Sequence, residues 1–118
     1  MKILRVDTQY GFKLEARLKE EIVGIYNVPF DKSGNISHAY ISSKIPNKKI
    51  PRNLINVVID EIQRTANQER REITHEEYLV TDDSKKLSLI FEDLKYKKIE
   101  YPQCIVLLRT YKPGSPRN

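Results

Sequence analysis

Four aromatic or imidazole rings, Tyr26, Phe30, His38 and Tyr40, fall within one short stretch of the chain. Around them stand Lys32, Lys44, Lys48, Lys49 and Arg52, and residues 32–59 contain no Asp or Glu. Cations neutralise phosphates and planar rings stack on bases, so this mixture is the chemistry of a nucleic-acid contact surface. Lys95-Tyr96-Lys97-Lys98 followed by Tyr101 repeats it near the C-terminus. The expected contact set is Lys32, His38, Tyr40, Lys44, Lys48, Lys49, Arg52, Lys95, Tyr96, Lys97 and Lys98, with RNA or DNA left open. A plainer account keeps the tyrosines for packing and the lysines for solubility. A second class stays open as well: an inhibitor or accessory factor of the mobile-element or defence type, docking on a protein partner through a strand edge.

Two tripeptides suggest a third class. Gly24-Ile25-Tyr26 and Tyr40-Ile41-Ser42 resemble the paired strand motifs of the GIY-YIG nuclease family, with Arg52 at the start of the next helix. The resemblance covers residues 24–52, and Ser42 stands where the family has a glycine. It implies that Tyr26 and Tyr40 position or deprotonate a water while Arg52 stabilises phosphorane-like charge. Mg²⁺ or Mn²⁺ on a later glutamate belongs to this reading alone; otherwise no cofactor and no metal is expected. For the three residues to act together they must converge on one phosphate position.

Other chemistry has thinner support. His38 and His75 are the two histidines, and nothing in their spacing brings them together. His75-Glu76-Glu77 with Asp82-Asp83 is an acidic cluster of the kind that is usually solvated. The glycines at 11, 24, 34 and 114 form neither a phosphate-cradling loop nor a dinucleotide fingerprint. Cys104 is the single cysteine, which excludes an internal disulfide and suits a reducing compartment. Its apolar neighbours predict an inert thiol.

The chain of 118 residues suffices for one core and carries a formal charge of +5. That charge is segregated. Residues 1–31 are neutral, 32–59 carry +5, 60–94 carry −5 and 95–118 carry +5. Two basic blocks on one face would make a strongly positive surface. The early charges Lys2 and Arg5 argue against a secretory signal, and no apolar run has the length of a membrane span. A cytoplasmic protein without membrane contact is expected; the oligomeric state is left open.

The elements follow from hydrophobic period. Residues 2–8 read as a strand. Phe12, Leu14, Ala16 and Leu18 alternate with charges and favour a strand, although Leu14, Leu18, Ile22 and Ile25 also fit a helical stripe. Residues 22–43 read as a hairpin about the Asp31–Asn35 turn. Pro51 suits a helix start, and Leu54, Ile55, Val58, Ile59, Ile62 and Ala66 predict a helix over about 51–71. Thr74–Glu77 reads as a capping box or as the start of a strand through Thr81. Leu87, Ile90, Phe91 and Leu94 predict a helix over about 84–95, capped by Asp83 or Ser84, with a strand as its rival. Cys104–Leu108 reads as a central strand buried on both faces. The expected whole is an α+β domain over 1–111, with an antiparallel sheet of four or five strands, two helices on one face, and a flexible basic tail at 112–118.

Overall fold

The structure is a computed structural model and describes residues 1–44, 49–80 and 84–115. It has the α+β class, with the strands divided between two antiparallel sheets of four and three. The first sheet is a meander in sequence order: β1 (Lys2–Asp7), β2 (Gly11–Leu18), β3 (Glu21–Pro29) and β4 (Tyr40–Ser43). Helix α1 (Lys49–Glu69) leads to β5 (Ile73–Leu79), and α2 (Ser84–Asp93) leads to β6 (Lys97–Glu100) and β7 (Ile105–Tyr111). In the second sheet β7 lies between β5 and β6. Among the described residues no helix is long and apolar enough to cross a membrane.

Strand pairing settles what the local sequence leaves open. The alternation in β2 is a strand alternation: Phe12, Leu14 and Ala16 turn to the core, and Lys13, Glu15 and Arg17 turn away. Glu15 is nevertheless buried, held by Lys13 Nζ at 3.3 Å and Arg17 Nη2 at 2.8 Å. The hairpin is present but looser than expected, because the returning strand covers only Tyr40–Ser43. Asp31 shapes the connection, its carboxylate accepting from the N–H groups of Ser33 and Asn35. Residues 73–79 are a strand and not a helix start, paired along their whole length with β7.

Both helices pack on one face, as the two apolar stripes require. Gly24 on β3 makes the approach of α1 possible: a Cβ there would stand 2.7 Å from Ile50 Cγ2 and 3.2 Å from Leu54 Cδ1. At the far side Arg5 bonds Glu61 of α1 at 2.5 Å while lying over the Phe12 ring. Each helix ends in a Schellman turn with a charged residue where glycine is usual. Arg70 (φ 54°) and Lys95 (φ 72°) take the left-handed position, and the bonds Arg71 N–H to Ala66 O and Tyr96 N–H to Phe91 O close the motifs.

Two expectations need correction. β7 is not sealed on both faces, since Ile105 and Leu108 are only half-buried. The chain after Tyr111 does not start free: the Lys112 carbonyl accepts from Gln63 and the Gly114 N–H donates to Asn67, both on α1. Asp82, Asp83 and residues 116–118 lie outside the described residues.

Candidate functional site

The two sheets meet along a seam between β4 and β5. One isolated parallel bridge joins them, Ile36 N–H to the Thr74 carbonyl at 2.9 Å and Glu76 N–H to the Ile36 carbonyl at 2.8 Å. Beyond it, β4 pairs with β3 alone and the C-terminal half of β5 pairs with β7 alone. Among the described residues no ladder joins β4 to β5, so each keeps one edge without a strand partner there. Helix α1 starts just after β4 with no acidic residue in its first turn. Its macrodipole favours an anion there. Beside that helix start lies a cavity of about 310 Å³ lined by Lys49, Arg52, Lys86, Leu89, Ile90 and Asp93. Three cations face one carboxylate, and Asp93 pairs with Arg52 at 2.8 Å.

Beneath the seam a buried side-chain network takes the place of backbone pairing. Tyr26 of β3 donates to the Glu77 carboxylate of β5. His75 Nε2 stands 2.9 Å from the same Glu77 oxygen, and its Nδ1 stands 2.6 Å from the Tyr96 hydroxyl. Tyr96 in turn meets the Tyr111 hydroxyl of β7 at 2.6 Å. With His75 carrying its proton on Nε2, each group is satisfied in one direction: Tyr111 donates to Tyr96, Tyr96 to His75, and His75 to Glu77. All five residues are buried, and no buried side-chain polar atom among the described residues lacks a partner.

Burial, then the nearby Glu77 charge, pushes the Tyr26 hydroxyl well above its ordinary value of 10.0. Burial and then Tyr111 do the same to Tyr96. A raised folded-state value means that the unfolded chain releases these protons first. The stabilisation is complete below the unfolded value of 10.0 and is lost as pH rises through and beyond it. Phenolate absorbance should therefore show Tyr26 and Tyr96 ionising together with alkaline unfolding. The stability of Tyr26→Phe should fall less steeply with pH than that of the parent, and an equal slope would refute the assignment.

The residues singled out by sequence are scattered. Tyr26 is fully buried, whereas Tyr40 is 65% exposed. The pairing of Asn27 with Tyr40, and of Tyr26 with Ile41, puts the two rings on opposite faces of the sheet. Arg52 faces Asp93 at the α1–α2 cavity, so Tyr26, Tyr40 and Arg52 do not converge on one phosphate position. Lys32, His38 and Lys44 are exposed around the hairpin, and Lys48 lies outside the described residues. Tyr96 turns into the core. Lys97 and Lys98 lie on the edge strand β6, beyond β5 and β7 from the seam, and Lys98 pairs with Glu100 at 2.9 Å. Lys95 is exposed at the α2 terminus. The two basic blocks are thus separated by β5 and α2 of the acidic block. Sequence reasoning missed His75, Glu77 and Tyr111 as partners of Tyr26; their alternation along β5 and β7 was the available signal. Among the described residues no group of three or more His, Cys, Asp or Glu side chains is placed to hold a metal.

The arrangement has the outline of an acetyltransferase-like fold. Its match is the crystal structure of a protein described as a streptothricin acetyltransferase from Bacillus anthracis, in complex with acetyl coenzyme A. The TM-score is 0.55 at 10% identity, over 91% of this chain and 65% of that one, so the chain spans somewhat less than two thirds of the matched protein. No protein-family model and no curated protein matches the chain. The likeness overturns the expected nucleic-acid-binding module: the fold resembles that of an acetyltransferase, and the cations that suggested a nucleic-acid surface are dispersed over it.

Proposed function

We propose that this chain binds acetyl coenzyme A, or a closely similar phosphorylated acyl carrier, along the unpaired edges of β4 and β5. The observation that carries the proposal is the absence of ladder pairing between β4 and β5, with α1 following β4, on a fold that resembles that of an acetyl-coenzyme-A-bound protein. The unpaired edges offer N–H and C=O groups to an amide-containing ligand, as a neighbouring strand would. The helix start and the cations Lys49, Arg52 and Lys86 suit its phosphates. No glycine lies between residues 35 and 113, so side-chain charge must supply what a glycine-rich backbone cradle supplies elsewhere. Acetyl transfer is the class of reaction that the fold likeness suggests. Glu77 and His75 are enclosed in the network, so the proposal concerns binding of the donor.

Isothermal titration with acetyl coenzyme A tests it. Saturable binding should weaken with added salt and fall roughly tenfold or more in the double variant Lys49→Glu/Lys86→Glu, since a hydrogen bond to a charged group contributes about 1.5–3 kcal/mol. An absence of binding at millimolar ligand would refute the proposal, as would binding unaffected by both charge reversals.

A further inference from the structure

The second sheet turns its outer face, opposite the helices, to solvent. Pairing across β5, β7 and β6 arranges that face in rows. One row reads Tyr78, Val106, Ile99, and the next reads Glu76, Leu108, Lys97. Tyr78 is 49% exposed, and Tyr101 at the rim is 55% exposed. Together with Pro102, Gln103 and Cys104 these residues line a shallow cavity of about 720 Å³ over Val106 and Leu108. Such a concentration of apolar and aromatic surface on one face marks an interaction site.

The charge pattern selects the partner. Glu76 and Lys97 flank Leu108 symmetrically, each one strand away, or about 4.8 Å. Consider a two-fold axis parallel to β7, lying in the plane between two such faces. Rotation about it exchanges the two sides of the strand, so Glu76 of one copy falls opposite Lys97 of the other, twice. Leu108 meets Leu108, Val106 meets Val106, and each Tyr78 covers the partner's Ile99. Aligned sheets cross at about −30°, which displaces residues one strand from the axis by only ~2–3 Å, within the reach of a lysine. Neither Glu76 nor Lys97 forms an ion pair among the described residues; the Tyr78 hydroxyl donates to the Glu76 carboxylate at 2.7 Å. The surface is its own complement, as an isologous interface requires.

We infer that the outer face of the β5-β7-β6 sheet is a dimer interface that binds a second copy of this chain, with reciprocal Glu76–Lys97 pairs about a Leu108 centre. The interface lies on the face opposite α1 and α2, and its test is independent of ligand binding.

Sedimentation equilibrium of the whole chain at micromolar to sub-millimolar concentration should show a dimer. Glu76→Lys and Lys97→Glu each place like charges opposite one another twice, and each should weaken dimerisation by at least about tenfold. Mixed in equal amounts, the two variants should form a heterodimer, because both reciprocal pairs become attractive again. Circular dichroism should show both variants folded, and Leu108→Lys, which sets two charges against each other at the axis, should also give monomers. A parent that sediments as a monomer throughout would overturn the inference. So would a dimer unaffected by the three variants, or two monomeric variants that fail to associate when mixed.

Discussion

Glu77→Ala is expected to cost about 2–6 kcal/mol, since it leaves two buried donors unsatisfied at about 1–3 kcal/mol each. The carboxylate accepts from Tyr26 and stands 2.9 Å from His75 Nε2 in a fully enclosed site. Without it, two buried donors keep their desolvation cost and gain no partner, and a void opens beside them. Glu77→Gln can keep its Oε1 within reach of both donors, but it removes the negative charge and buries an NH2 where Oε2 stood. A smaller loss, about 1–3 kcal/mol, is expected. Urea unfolding at neutral pH measures both. An alanine variant within about 1 kcal/mol of the parent would show that the network is not the link between the sheets.

The second large effect lies one layer above. Phe91 is fully buried and meets Tyr96 edge-on at 5.0 Å and His75 at 6.3 Å between ring centroids. It also supplies the carbonyl that accepts the Tyr96 N–H in the turn ending α2. Phe91→Ala should cost about 3–5 kcal/mol through lost burial and the cavity left behind. Phe91→Leu keeps most of the volume and should cost markedly less. In a cycle with Tyr96→Phe, Phe91→Ala should show little coupling through the hydroxyl, because the ring contact survives removal of that group. A coupling above about 1.5 kcal/mol would mean that the hydroxyl chain depends on Phe91.

How legible these features were depended on whether the signal was local. The stripe from Leu54 to Ala66 required a helix, and Lys49–Glu69 is one. The alternation in 12–18 could be decided only by its neighbours, β1 and β3. β6 is a four-residue edge strand with three charged positions, so no apolar period announces it. Tyr96 looked like one ring in a basic run because Lys95, Lys97 and Lys98 surround it. Its burial follows from the left-handed Lys95, which turns the chain back so that the ring packs on Phe91. A lysine at that position gives no warning of the turn, whereas a glycine would have. The paired triplets around Tyr26 and Tyr40 do lie on adjacent antiparallel strands. The one-residue offset of their register sends one ring inward and the other out, and no count of intervening residues predicts that.

The seam also bears on the order in which the molecule assembles. β1 to β4 pair only with their sequence neighbours, so each step closes a short loop and gains its ladder at once. The Tyr26–Glu77 bond closes 51 residues, and its partners need β5, β7 and the end of α2 already in place. Nucleation is therefore expected in the hairpins, with the two sheets joined late. Late-forming contacts leave the folding rate nearly unchanged and act on the rate of unfolding. The hydroxyl–imidazole–carboxylate chain would then serve chiefly as a kinetic lock, setting how long the two sheets stay together once they have met.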